Sequence, residues 1–200
     1  MITTKVTDCI RNMLSYIESE DFAGYDPYDA LNSPFLHRIG SGSKYLRIGA
    51  TQLLKRSSIN IRPIFGIHKG HNPKGIGLFL WGYSKLFAIT KNPRYFEKAK
   101  YLLDLLEQLK STGYSGNCWG YNFDWQSLTF MRPKGTPTIV NTSFIGHALL
   151  DCYELTGMQR ALDIAISIKD FILRDLNRIK LNGFFCFSYT PRRTSPCSRN

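Results

Sequence analysis

An internal repeat constrains the fold of this chain more than any other feature, because a fixed period restricts a chain to repeat architectures. Positions 89–99 and 155–165, which lie 66 residues apart, share the pattern (Ile/Leu)-Thr-x-x-x-Arg-x-(aromatic/Leu)-(Glu/Asp)-x-Ala. At the same offset, three aromatic residues of each copy align: Trp119, Tyr121 and Phe123 with Phe185, Phe187 and Tyr189. The sequence therefore predicts two copies of one module, over 75–125 and 141–191.

Hydrophobic residues recur with a spacing near 3.6 through most of the chain, which predicts a mainly helical, all-α protein. The predicted helices cover 6–18, 45–54, a stretch opened by Pro73, a stretch from Pro93 to Gly113, a stretch from Asn141 to Thr156, and a last one around 162–172. Asn92 before Pro93 is typical of a helix start, and Gly113 and Gly157 of helix ends. Each module is thus a helical hairpin followed by a short extended segment.

Charge and composition exclude several classes of protein. The net charge of +11 is concentrated in 36–74, where eight basic residues are spread out and no acidic residue occurs. This pattern predicts a solvated face, and the lack of a nucleic-acid-binding motif disfavours nucleic acid as a partner. The longest apolar stretch, Gly75–Tyr83, is too short for a bilayer span. Without a secretory signal, the expected location is cytoplasmic.

The cysteines and histidines give no sign of a metal or cofactor site. Five cysteines are odd in number and widely spaced, so we expect reduced thiols rather than a disulfide framework. His68 and His71 lack a further ligand at metal-binding spacing, which predicts no metal. No phosphate-binding loop, nucleophile elbow or dinucleotide fingerprint is present, so no cofactor is expected.

The strongest candidate site lies in the long aromatic connection between the modules, 113–137. Aromatic faces stack on the C–H patches of sugars, and carboxylate and amide groups bind sugar hydroxyls. This chemistry predicts a saccharide-binding loop made of Trp119, Tyr121, Asp124, Trp125 and Gln126. The alternative is aromatic packing beneath a long loop, with Asp124 forming a turn.

Glycoside hydrolysis normally requires two carboxyl groups, one protonated and one ionised. Asp124 is the predicted acid or base, and Asp26 or Asp29, both in Gly-Tyr-Asp-Pro-Tyr-Asp, is a candidate for the second group. Asp26 is also a candidate for substrate binding. A turn-forming Asp-Pro pair is the other interpretation of Asp26. His147 is predicted to assist as an acid or base, with a structural helical histidine as the alternative.

These modules and motifs resemble the α/α toroids, in which helical hairpins close into a ring around a cavity. The block from Trp119 through Gln126 to His147 is most similar to uncharacterised members of the six-hairpin glycosidase-like superfamily, found near polysaccharide biosynthesis genes. That superfamily includes glycoside hydrolases, unsaturated-uronyl hydrolases and sugar epimerases. The Gly-x-x-Trp-Gly piece at 116–120 also resembles the repeat of terpenoid cyclases and protein prenyltransferases.

The resemblance spans about 20–191, yet six such units would need about twice the 200 residues present. It therefore implies an incomplete, truncated toroid of about three hairpins, with a single domain over 1–191 and an irregular basic tail over 192–200. An open ring leaves helix faces unpaired, which predicts association between copies of the chain.

The sequence thus predicts a carbohydrate-processing or carbohydrate-binding protein. If it is an enzyme, the expected activity is that of a glycoside hydrolase or a sugar epimerase. The alternatives are a non-enzymatic helical-repeat interaction module and a toroid with an isoprenoid ligand.

Overall fold

The computed structural model describes residues 2–191, with side chains from residue 5 onward. The predicted basic tail, 192–200, lies outside the described residues. The described part contains seven α-helices: α1 (Ile2–Ser19), α2 (Pro34–Gly40), α3 (Lys44–Arg56), α4 (Pro73–Thr90), α5 (Pro93–Gln108), α6 (Ile139–Thr156) and α7 (Gln159–Asp170). Four short strands accompany them: β1 (Trp125–Gln126), β2 (Met131–Arg132), β3 (Arg178–Leu181) and β4 (Phe184–Phe187).

The chain divides into two compact units. The first unit contains the residues up to Asn72 together with Asn122–Met131, and the second contains Pro73–Tyr121 and the residues from Arg132 onward. The predicted aromatic connection is therefore shared: 122–131 belongs to the first unit, and its flanking pieces belong to the second.

The first unit is built on α1, α2 and α3. Its core contains Ala30, Leu54 and Ile67, which are at most 2% exposed. Helix α2 begins at Pro34, and the Ser33 hydroxyl caps it by accepting a hydrogen bond from the Leu36 N–H (3.2 Å). The hydrophobic pattern did not predict α2, because a helix of seven residues is too short to establish a period.

The second unit contains the repeated helix pairs, which confirms the predicted hairpins. Helices α4 and α6 have the same length, and both their ends are 66 residues apart. Helix α4 packs against α5 and α6, and α6 packs against α7. The Trp81 indole on α4 donates to the Asp151 carboxylate on α6. The predicted break after Thr156 is confirmed, because Gly157 adopts φ +75° there.

The ends of the modules differ from the sequence prediction. Helix α5 ends at Gln108 instead of continuing to Gly113, and a π-helical turn, Phe171–Asp175, follows α7. Strands β3 and β4 form an antiparallel hairpin in the second copy, whereas the matching part of the first copy has only an isolated bridge between Gly120 and Pro137. The described part of the chain is therefore mostly helical but not all-α, since its four strands form two small sheets.

Within residues 2–191, no helix is both long enough and apolar enough to cross a membrane.

Candidate functional site

The seven predicted site residues are divided between the two units. The first unit contains Asp26, Asp124, Trp125 and Gln126, and the second contains Trp119, Tyr121 and His147.

In the first unit, the loop after α1 is ordered by the side chains of its two aspartates. Asp26 accepts the N–H of Tyr28 on Oδ1 (3.0 Å) and the Asn72 amide on Oδ2 (3.1 Å). Asp29, in turn, accepts the N–H of Asp26 (3.1 Å). The Asp-Pro segment is thus a turn, as the alternative interpretation proposed, and its geometry also fixes the carboxyl group of Asp26.

Asp29 is the structural anchor of this loop. The Arg62 Nε lies 2.8 and 3.0 Å from its two carboxylate oxygens, and the Arg62 Nη2 donates to the carbonyl of Asp26 (3.0 Å). The side chains of Asp29 and Arg62 are only 4% and 14% exposed. Because a buried charge requires a partner, this ion pair binds the loop to the segment after α3.

Burial raises the pKa of the Asp26 carboxyl above its ordinary value. The hydrogen bonds from Tyr28 and Asn72 oppose this shift, while the negative charge of Asp29 adds to it. A carboxyl group that holds its proton to a higher pH than a solvated aspartate is suited to general acid catalysis.

An aromatic contact joins this loop to the hairpin of β1. The ring centroids of Tyr28 and Trp125 are 6.4 Å apart at an angle of 57°, and Phe130 packs edge-on against Trp125 at 5.0 Å. The Tyr28 hydroxyl also accepts a hydrogen bond from the Lys55 amine (2.8 Å). The structure therefore brings together two predicted segments, those of Asp26 and Trp125, that are about a hundred residues apart in sequence.

Asp124 lies next to Trp125 and contacts a histidine on α2. Its Oδ2 is 3.4 Å from the His37 Nε2, and the two side chains are 21% and 51% exposed. This pair can form an ion pair when the imidazole is protonated. We call the five residues Asp26, Tyr28, His37, Asp124 and Trp125 the Tyr28–Trp125 cluster.

Gln126 holds the hairpin in place. Its Oε1 accepts a hydrogen bond from the Arg47 Nε (2.7 Å), and its Nε2 donates to the carbonyls of Ser127 (2.7 Å) and Phe130 (3.0 Å). Both ends of the amide are thus bonded within the first unit, whereas the sequence predicted that Gln126 binds substrate. These hydrogen bonds support the loop that carries Asp124 and Trp125, and substrate binding by Gln126 stays a prediction.

In the second unit, Trp119 is a core residue. Its side chain is 0% exposed, and its indole N–H donates to the carbonyl of Leu106 (2.8 Å). No ring face is open to a ligand, although the sequence predicted a stacking role. Tyr121 is half-buried and accepts the N–H of Gly135 on its carbonyl oxygen (2.8 Å). His147 lies on the exposed face of α6.

Sequence reasoning missed Tyr28 and His37. Tyr28 lies inside the Gly-Tyr-Asp-Pro-Tyr-Asp segment, and its position beside two aspartates was the signal available. His37 gave no signal, because it lies on the helix that the hydrophobic pattern did not predict. Among the described residues, no group of three or more His, Cys, Asp or Glu side chains is arranged to hold a metal ion.

No protein-family model matches the chain, and no curated protein matches it significantly.

Proposed function

We propose that this protein binds and processes a saccharide at the Tyr28–Trp125 cluster. The observation that carries the proposal is the contact between the rings of Tyr28 and Trp125, each of which is flanked by a carboxyl group, Asp26 and Asp124 respectively. Tyr28 and Trp125 are each partly exposed, so part of this aromatic contact is accessible to a ligand.

A saccharide suits this mixture of side chains better than a purely apolar ligand. Aromatic rings pack on the C–H faces of a sugar, and carboxylates accept hydrogen bonds from its hydroxyl groups. The isoprenoid alternative requires an almost wholly apolar cavity, and the polar groups of Asp26, His37 and Asp124 count against it. The cluster therefore supports the carbohydrate proposal at the level of ligand class.

The two carboxyl groups suggest how the reaction would proceed. Asp26 is the candidate general acid, because burial raises its pKa. Asp124 is the candidate base or nucleophile, and its neighbour His37 would orient it or exchange protons with it. Hydrolysis of a glycosidic bond uses two carboxyl groups in these roles, one protonated and one ionised.

The wider fold assignment is part of the same proposal. The successive hairpins α4–α5 and α6–α7 are of the type from which α/α toroids are built. Membership of the six-hairpin glycosidase-like superfamily, a cytoplasmic location and association between copies of the chain remain predictions. The role of His147 as an assisting acid or base also remains a prediction.

Ligand-induced thermal stabilisation across a panel of oligosaccharides tests the proposal. We expect at least one glycan to raise Tm, and the rise to disappear in Asp124→Asn, Asp26→Asn and Trp125→Ala. The matched controls in the first unit are Asp8→Asn and Tyr45→Ala, which change exposed side chains outside the cluster. The release of reducing sugar ends would distinguish hydrolysis from binding alone.

Two results would contradict the saccharide proposal. The first is a Tm that no glycan changes, which would favour the alternative of a non-enzymatic interaction module. The second is stabilisation that survives Trp125→Ala and Asp124→Asn, which would place the saccharide elsewhere on the chain.

A further inference from the structure

The second unit contains a cavity that shares no residue with the Tyr28–Trp125 cluster. Its volume is about 580 Å³, within the range of small-molecule sites. It lies between the segment that follows α5 and the turn that precedes α6. Its lining consists of Lys110, Ser111, Thr112, Gly113, Tyr114, Pro133, Lys134, Gly135, Thr136 and Pro191. We refer to it as the Lys110–Lys134 cavity.

The charge of the lining has a single sign. Two lysines line the cavity, whereas none of the ten lining residues is Asp or Glu. Lys110 forms no ion pair with any described residue. Asp175 does not line the cavity, and its two carboxylate oxygens bind the backbone and hydroxyl of Ser115 (2.7 and 2.9 Å). No carboxylate among the lining residues therefore neutralises Lys110.

Neutral hydrogen-bonding groups accompany the lysines. Three other lining residues, Thr112, Tyr114 and Thr136, have side chains with a hydroxyl group. Hydroxyl groups donate to phosphate and carboxylate oxygens, and a lysine amine adds a charge-assisted hydrogen bond. The lining thus combines the two kinds of donor that an organic anion requires.

The two walls of the cavity are tied to each other and to the unit. The Ser111 hydroxyl donates to the carbonyl of Gly135 (2.7 Å), which joins one wall to the other. The Ser111 N–H donates to the carbonyl of Cys118 (2.9 Å), and the Gly135 N–H donates to that of Tyr121 (2.8 Å). Because the backbone is already held in place, a ligand would not have to order these loops on binding.

We propose that the Lys110–Lys134 cavity binds a small organic anion, with a phosphate or carboxylate group carried on a body of sugar size. The lysines and hydroxyls bind the anionic group. The remaining volume accommodates the neutral body, since 580 Å³ greatly exceeds what a bare phosphate or carboxylate fills. This site is independent of the saccharide proposal, because the two sites have no residue in common.

Titration of the full chain with four probes, followed by amide NMR and calorimetry, tests the proposal. The probes are glucose, a glucose phosphate, glucuronic acid and inorganic phosphate. We expect saturable shifts of the Lys110, Thr112 and Gly113 amides with the glucose phosphate, with glucuronic acid, or with both. Whichever binds more tightly identifies the anionic group. Glucose should produce no saturable shift there, and inorganic phosphate should bind more weakly than the better of the two sugar anions.

Charge-removing variants localise the binding. Lys110→Gln should lower the affinity for the more tightly bound sugar anion about fivefold, as expected for the loss of one charge-assisted contact. Lys134→Gln should also weaken it. The matched control Lys100→Gln removes the same charge from an exposed position on α5 outside the cavity, and should leave the affinity within about twofold.

Ionic strength provides a test that needs no variant. Raising the salt from about 0.01 M to about 1 M shortens the Debye length from about 30 Å to about 3 Å and should weaken binding strongly. The proposal is overturned if neither sugar anion binds, if glucose binds equally well, or if Lys100→Gln weakens binding as much as Lys110→Gln. If inorganic phosphate binds as tightly as the better sugar anion, the proposal that the ligand has a sugar-sized body is wrong.

Discussion

The indole Nε1 of Trp119 donates a hydrogen bond of 2.8 Å to the main-chain carbonyl of Leu106, near the end of α5. Both side chains are fully buried in the second unit. The backbone N–H of Trp119 also donates to the hydroxyl of Thr142 on α6 (3.2 Å). Trp119 therefore connects the chain between the two hairpins to one helix of each.

Replacing this indole should destabilise the second unit. Trp119→Phe removes the hydrogen bond and leaves the carbonyl of Leu106 without that partner, besides reducing the buried volume. We expect the free energy of unfolding to fall by about 2 kcal/mol, measured by urea denaturation. The control is Phe185→Leu, at the aligned position of the second module, where the side chain is 54% exposed; its effect should stay below about 0.5 kcal/mol. Equal effects would refute a core role for Trp119.

The ion pair between Asp29 and Arg62 should be a major determinant of stability in the first unit. Asp29→Asn leaves the buried Arg62 guanidinium without its counter-charge, at an expected cost of about 3 kcal/mol in unfolding free energy. Asp8→Asn breaks a pair of the same kind with Arg11, at 3.0 Å, whose side chains are 54% and 71% exposed. That control should cost less than about 0.5 kcal/mol. A small loss in Asp29→Asn would mean that the buried pair contributes little.

The tight packing around Gly116 predicts that adding a single methyl group there strongly destabilises the fold. A Cβ at this position would lie 2.7 Å from the backbone N of Phe171 and would also collide with the carbonyl oxygen of Ser167. Because both contacts are to backbone, Gly116→Ala should lower the unfolding free energy by more than about 2 kcal/mol. Gly82→Ala on α4 meets no atom within 4 Å and should be stabilising by about 0.5 kcal/mol. Thermal unfolding of both variants measures the difference.

The raised pKa of Asp26 predicts a pH dependence of stability with a definite sign. Since burial makes the folded-state pKa higher than that of the unfolded chain, the folded state binds more protons between the two pKa values. The free energy of unfolding contributed by this group therefore falls as pH rises through that interval, above the ordinary value of 3.8. In Asp26→Asn this component should be absent. Urea denaturation of both proteins from about pH 3 to about pH 6 measures it, and parallel pH profiles would contradict the prediction.

Much of the helical framework could be predicted from the sequence, because its signals are local. The 3.6-residue hydrophobic period marks the long helices, and Asn92 with Pro93 marks a helix start that the structure reproduces. The 66-residue offset of the repeat recurs in the structure, where α4 and α6 have the same length and both their ends are 66 residues apart. The short helix α2 and the early end of α5 could not be predicted, since seven residues show no period and Gly113 is a turn glycine beyond the helix.

The candidate site could be predicted only as a set of residue types. Asp124 and Trp125 have the side-chain types that saccharide sites use, but the Tyr28–Trp125 contact joins segments distant in sequence. Gln126 carries the same chemical signal, yet Arg47 binds its amide, and that partner lies 79 residues away. Contacts between residues so distant in sequence leave no local sequence pattern, so they could not be predicted.

The sequence by itself determined where the long helices form and that two helical hairpins repeat, because helix periodicity, caps and turn glycines act within a few residues. Only the tertiary structure decided that Trp119 is buried while Phe185, the aligned residue, is exposed. The physical reason is that burial depends on neighbours supplied by the rest of the chain. Trp119 fits against Leu106 and Thr142, whereas Phe185 lies on a two-stranded hairpin whose residues are all exposed.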